Sequence, residues 1–150
     1  MGYKYSKGKG SFIRKSVLKD IRELLRLLDP KAPLLKKNDF LKILSSNSTK
    51  YYTVTDTSSR KVVAMMTLVF FRAPTGLKAR IEDIVVQPSH RRKGIGEKLI
   101  RMAIHESGRK GAVSLDLTSS PYRREANKLY QNLGFVKRGT NVYRYELAKV

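Results

Sequence analysis

The sequence has no cysteine, which excludes a disulfide framework and a thiolate metal site alike. Its two histidines are too few for a histidine cluster, so no structural metal is expected. No apolar run approaches the roughly 20 residues of a membrane span. The N-terminus MGYKYSKGKGSF is basic but lacks the apolar centre of a signal peptide, and a cytoplasmic protein is expected. Gly2 with Ser6 alone does not make a myristoylation site. Acidic residues are scarce: 12 Asp and Glu stand against 32 Lys and Arg, a formal charge of +20. Such an excess attracts phosphates, nucleic acids, acidic membranes and acidic proteins without choosing among them. It is spread through Lys4, Lys7, Lys9, Arg14, Lys15, Lys19, Lys36 and Lys37, and later Arg123, Arg124, Lys137 and Arg138.

What is present is enough for one globular domain: 150 residues, 41% of them hydrophobic. Residues 1–11, rich in Gly, Lys and Ser, are expected to be a mobile basic segment ahead of a domain over 12–150. Phe12 and Ile13 are candidates for a first strand. Val17, Leu18, Ile21, Leu24, Leu25 and Leu28 recur at helical spacing, and Asp29-Pro30 ends that helix. A short second helix is expected over Asp39 to Leu44. Tyr51 to Thr55 and Val62 to Phe71 read as strands joined by the turn Asp56-Thr57-Ser58-Ser59. Ala73-Pro74-Thr75-Gly76 makes a further turn, so these strands and the next should form an antiparallel meander.

The most informative stretch runs from Ala79 to Ser107. Ile81, Ile84, Val85 and Val86 form a β-branched run enclosing Glu82 and Asp83, which suits a buried strand ended by Pro88. Arg91, Arg92, Lys93, Gly94, Ile95 and Gly96 follow, after which Ile95, Leu99, Met102 and Ala103 recur at helical spacing. A basic glycine loop at the positive end of a helix offers unpaired main-chain N–H groups, and its glycines carry no Cβ to hold a phosphate away. It reads as an anion cradle, suited to a diphosphate. The P-loop of nucleotide triphosphatases is excluded, because Gly94-Ile95-Gly96-Glu97-Lys98-Leu99 has neither its glycine spacing nor its Lys followed by Ser or Thr. The dinucleotide fingerprint is disfavoured, because Leu99 stands where its third small residue belongs. Gly108 and Gly111 then reverse the chain into a strand over Ala112 to Leu117, which a helical crossover makes a parallel neighbour of the strand before it.

The second informative stretch is Ser119 to Phe135. Ser120 suits an N-cap, Pro121 the first helical position and Gly134 a C-terminal stop. Tyr122, Ala126, Leu129 and Leu133 form one stripe, expected to be core. Arg123, Asn127 and Tyr130 line a neighbouring face, which suits an extended ligand and equally an ordinary exposed surface. Strands are expected at Phe135 to Arg138 and Val142 to Leu147.

The loop Arg91-x-x-Gly94-x-Gly96 after Ile84-Val85-Val86, followed by Leu-Tyr-Gln-Asn-Leu-Gly-Phe ending at Phe135, closely resembles the GNAT superfamily of N-acetyltransferases. The resemblance spans roughly Phe12 to Leu147. It implies an α/β (α+β) fold: a mixed, mostly antiparallel twisted sheet of six or seven strands, about four flanking helices, and a central parallel pair splayed for acetyl-CoA. It implies that the main chain of Ile84, Val85 and Val86 pairs with pantetheine and that Arg91, Arg92, Lys93, Gly94, Ile95, Gly96 and Glu97 surround the diphosphate. It further implies direct acetyl transfer to a primary amine in a ternary complex, so the absent cysteine nucleophile is no obstacle. Tyr130 holds the position of the family's acid. Glu82, expected on the strand face of Ile84 and Val86, is the general-base candidate, though a carboxylate there also suits a partner for a nearby Arg or Lys. Many members carry Asn where Arg123 stands, seven residues before the tyrosine, and Arg123 and Asn127 are the candidates for its cofactor contact. His90 and His105 are expected as a loop residue and an exposed helix residue. The acceptor, a protein amine or a small-molecule amine, is not legible, because fold does not select it. The basic surface argues mildly against polyamines and allows an acidic protein or nucleic acid as partner, in a monomer or homodimer. The other class of function is an idle acyl-CoA-binding or nucleic-acid-associated module, which a lost tyrosine or a broken glycine loop would favour; neither is seen.

Overall fold

The computed structural model describes residues 2–10 and 13–147. The chain divides into two compact units, Met1–Thr118 and Ser119–Val150.

The first unit is built on a five-stranded sheet in the order β1-β2-β3-β4-β5. Its strands are β1 (Tyr3–Lys7), β2 (Thr49–Asp56), β3 (Val62–Ala73), β4 (Gly76–Val86) and β5 (Ser114–Asp116). β1 to β4 are antiparallel neighbours, and β4 pairs β5 in parallel, as a helical crossover demands. The connecting helices are α1 (Lys15–Leu28), α2 (Lys37–Ser45) and α3 (Ile95–Arg109). α1 forms because its apolar residues recur on one face, and it stops where Asp29 turns extended before Pro30. On one side of the sheet Leu18, Ile21 and Leu24 of α1 and Phe40 of α2 pack with Tyr51, Val62, Met65 and Val85. Asp20 accepts a hydrogen bond from the Val62 main-chain N–H at 2.9 Å, tying α1 to β3. The α3 side chains Ile95, Leu99, Ile100 and Ala103 are also buried.

Two expectations about the N-terminus need correction. The segment expected to be mobile over 1–11 contains β1, which pairs β2 from Tyr3 opposite Asp56 to Lys7 opposite Tyr52. Tyr3, Tyr5 and Lys7 fall on one face and Lys4 and Ser6 on the other, and the tyrosines are half-buried while Lys4 is exposed, a pattern that composition alone hides. The first strand is therefore not at Phe12 and Ile13: Phe12 lies outside the described residues, and Ile13 is buried in an unpaired stretch before α1.

β1 is also joined to the end of α3. Lys7 Nζ donates to Glu106 Oε1 at 3.1 Å, and Arg109 donates to both oxygens of the same carboxylate. Glu106 is buried, and its pKa is held down to about 2, by the Arg109 hydrogen bond first, against desolvation, and then by Lys7. A carboxyl depressed on folding contributes stability that is complete above its unfolded pKa and is lost as pH falls through the folded one. Stability should therefore fall between about pH 4.5 and pH 2. Glu106→Gln should remove that part of the acid dependence and cost about 1 kcal/mol at neutral pH, as thermal melts across the pH range will read.

The second unit contains α4 (Arg124–Asn132), which makes four α-helices among the described residues. Its start differs from the expected Ser120 cap. Arg123 N–H bonds Ser120 O at 3.0 Å, closing a turn, and the helix begins only after Arg123. Tyr122 therefore precedes the helix and is 81% exposed rather than core. Ala126, Leu129 and Leu133 are half-buried. Residues 135–147 form no strand, so the strands expected at Phe135–Arg138 and Val142–Leu147 are absent and the sheet has five strands rather than six or seven. Alternation makes a segment capable of a strand, but pairing with a neighbour makes it one, and Val136, Val142, Tyr143 and Tyr145 are exposed.

Candidate active site

The first unit carries its candidate site at the C-terminal end of β4. Strand β5 pairs only the start of β4, Lys78 to Arg80, and stops at Asp116. From Ile81 onward that flank of β4 has no strand beside it among the described residues, which leaves main-chain groups open to a ligand.

A bulge interrupts β4 within this length. Val85 lies opposite Met65 and Glu82 opposite Thr67, so Asp83 and Ile84 together face Met66. Asp83 takes a left-handed φ of 51° to accommodate the extra residue. The bulge reverses the alternation beyond it. Glu82 consequently shares its face with Val85, not with Ile84 and Val86 as strict alternation predicts. The Val85 side chain belongs to the core against α1, leaving only its main chain for a ligand, whereas Ile84 and Val86 are half-buried.

Glu82 is ion-paired with Arg80 Nε, the partner that a carboxylate at this position was equally suited to take. Asp83 is exposed as a residue, yet its carboxyl is raised above the ordinary aspartate range, by desolvation first and then by the adjacent Glu82. The sequence pattern gave Asp83 no site role, because nothing in Ile81-Glu82-Asp83-Ile84-Val85-Val86 marks a bulge.

The loop follows directly. Pro88–His90 makes one tight 3-10 turn, and Arg91 Nε donates back to Val86 O at 3.1 Å. Arg92 has φ 59° and Gly94, at the cap of α3, has φ 73°. Arg91, Arg92, Lys93 and Gly94 are all exposed. Gly94 has no side chain with which to cap the first turn of α3, and a Cβ built on it would meet no described atom within 4 Å outside its chain neighbours. The cap thus presents main-chain N–H groups and open space among three cationic side chains, a fit for a diphosphate. Ile95 is buried and anchors the helix start, so it offers a ligand only its N–H. Gly96 and Glu97 lie on the first turn, with Glu97 paired to Arg101 at 2.8 Å.

In the second unit Arg123 caps α4, and Asn127 Nδ2 donates to Ser120 O at 2.9 Å, which commits one of its amide protons to the turn. Gly134, with φ 92°, ends the helix as expected, and Phe135 N–H returns to Tyr130 O at 3.0 Å. That return places the Phe135 ring edge-on to Tyr130, with centroids 6.1 Å apart. Tyr130 is buried, and its hydroxyl pKa is raised by that burial, with Arg123 opposing.

A family model described as the acetyltransferase (GNAT) family matches residues 18–135. The chain belongs to the GNAT acetyltransferase family. No curated protein matches its sequence. Among solved structures, this acetyltransferase is similar to one from Trypanosoma brucei, with 24% identity, TM-score 0.78, and 97% of this chain and 100% of the other covered. Glucosamine-6-phosphate N-acetyltransferase from Arabidopsis thaliana is similar at 19% identity and TM-score 0.75, covering 95% of this chain and 98% of that one. AAC(6')-Iy, solved with the bisubstrate analogue CoA-S-monomethyl-acetylneamine, matches at 17% identity and TM-score 0.76, covering 99% and 100%. The family fold uses acetyl-CoA. Among the described residues of the acetyltransferase, no helix is long and apolar enough to cross a membrane, and no group of three His, Cys, Asp or Glu could hold a metal ion.

Proposed function

We propose that this acetyltransferase moves an acetyl group from acetyl-CoA directly to a primary amine, with both substrates bound at once. The observation that carries the reading is the exposed loop Arg91 to Gly94, left-handed at Gly94, which caps α3 without a side chain, at the end of a β4 whose flank is open. In it, Arg91, Arg92 and Lys93 neutralise the diphosphate, and the N–H groups at the start of α3 hydrogen-bond it. The main chain of Ile84 to Val86, where Val86 O already accepts from Arg91 Nε, holds the pantetheine arm. Arg123 serves the cofactor from its cap position, and the free groups of the Asn127 amide can do so from the same turn.

The reaction forms one N–C bond and breaks one C–S bond. The amine nitrogen attacks the thioester carbonyl, its surplus proton leaves to a base, and the departing thiolate takes the proton of the Tyr130 hydroxyl. Burial raises the Tyr130 pKa, which keeps that proton in place until sulfur needs it. The base assigned from the motif is Glu82, directly or through water. Asp83 is the second reading, favoured by its exposed position on the bulge and its raised carboxyl. A base works deprotonated, so kcat/KM falls as pH drops through its pKa, and Asp83 as base would place that acid limb above the ordinary aspartate range. Glu82→Gln is expected to lower turnover by about 10²-fold or more. Retained turnover in Glu82→Gln, together with loss of the acid limb in Asp83→Asn, would transfer the role to Asp83.

The acceptor belongs to the class of amines that a strongly basic surface does not repel: neutral or anionic ones, such as an amino sugar phosphate or the amine of an acidic peptide. The same charge suits an acidic protein or a nucleic acid as partner. The test is thiol release from acetyl-CoA against neutral, anionic and polycationic amines, with mass spectrometry of the products. Acetylation confined to polycationic amines would reject this acceptor class, and a failure to release thiol with any amine would reject the transferase reading.

A further inference from the structure

β1 lies against α3 and the turn before it through three contacts in file. Tyr3, Tyr5 and Lys7 are alternate residues and so share a strand face. The Tyr3 hydroxyl and His90 Nδ1 share a hydrogen bond of 3.1 Å, and their rings stand edge-on at 81° with centroids 5.8 Å apart. Lys98 Nζ lies 4.1 Å from the Tyr5 ring centroid, a cation–π contact. Lys7 reaches Glu106. These contacts run from the turn before α3 to its last turn, a helix of 15 residues and so about 22 Å long. The start of β1 is itself fixed, because Gly2 O accepts both the N–H of Thr57 at 3.0 Å and its hydroxyl at 2.9 Å.

We propose that β1 positions the diphosphate loop, with Tyr3 holding His90 and thereby the backbone that enters Arg91 to Gly94. This rests on the reading of that loop as the acetyl-CoA site. His90 is the last residue of a tight turn whose N–H groups are committed: His90 to Gln87 O at 2.9 Å and Arg91 to Pro88 O at 3.2 Å. Displacing the His90 ring therefore displaces the main chain at Arg91. Two residues later Arg92 stands in the left-handed region, where a residue with a Cβ is strained and stays only if its surroundings over-determine it. The Tyr3 contact is one such constraint and comes from a strand remote in sequence. Tyr3 acts on the loop through His90, so it is a positioning residue. The loop is thus set for its ligand before binding, which avoids part of the ordering cost.

Tyr3→Phe keeps the edge-on ring and deletes only the hydroxyl. It should weaken acetyl-CoA binding by calorimetry about three- to tenfold, the range for one hydrogen bond, and leave kcat at saturating acetyl-CoA within about twofold. Hydrogen exchange of the main-chain amides from His90 to Gly96 should accelerate in the ligand-free protein while those of β3 keep their protection. Lys7→Ala loosens β1 at the far end of α3 and serves as the control, with a lower melting temperature but unchanged affinity and loop exchange. The proposal is overturned if wild type and Tyr3→Phe bind equally and exchange alike, or if Lys7→Ala weakens binding as much as Tyr3→Phe does. Failure of the wild-type protein to bind acetyl-CoA would instead overturn the loop reading and the proposal with it, so the two failures are distinguishable.

Discussion

Tyr130→Phe is expected to lower turnover by about 10²- to 10⁴-fold, the range for loss of a general acid, with acetyl-CoA affinity within about twofold of wild type. The substitution is narrow. Phenylalanine retains the edge-on packing against Phe135 and the burial of the ring, so the fold of the second unit should be kept. What disappears is a hydroxyl whose pKa burial has raised. Such a group keeps its proton through neutral pH, so the protonated form is on hand for the departing thiolate as the C–S bond breaks. Steady-state rates on the best acceptor, with calorimetry of acetyl-CoA, provide the check. A wild-type rate in the folded variant would reduce Tyr130 to a packing residue and require another proton source for the thiolate.

Gly94→Asp should weaken acetyl-CoA binding by about tenfold to a hundredfold. Two effects add. The new carboxylate stands at the positive end of α3, where it competes with the diphosphate for the same N–H groups and repels its charge. The side chain also occupies the space through which the diphosphate approaches, space that no described protein atom uses within 4 Å of the added Cβ. Aspartate tolerates the left-handed region better than most residues, so the cap conformation at φ 73° should survive. Gly94→Ala separates the effects, because it adds the Cβ and a strain of about 1–2 kcal/mol without the charge. Calorimetry should rank wild type, Gly94→Ala and Gly94→Asp in falling affinity, with melts showing that both variants fold. Equal affinity across the three would remove the cradle from this loop.

Local regularities carried far along this chain. Spacing of Leu18, Ile21 and Leu24 determined α1, Gly134 determined the end of α4, and the order of strand, glycine loop and helix around Gly94 determined both the parallel pairing of β5 and the family. Each is set by residues within a few positions of one another, through backbone sterics or by one apolar face. The tertiary structure decided what depends on partners distant in sequence. Tyr3 to Lys7 became a strand because β2 offers an edge and α3 a surface, whereas composition pointed to a mobile tail. Residues 135–147 alternate like strands but pair with nothing, so alternation there had no neighbour to act on. The bulge at Asp83 put Glu82 on the face of Val85 rather than on that of Ile84 and Val86, because one inserted residue reverses every side chain beyond it. The sequence by itself thus determined the family, through local patterns. Which face of β4 carries Glu82 and what β1 touches were decided only when strands far apart in the chain came into register.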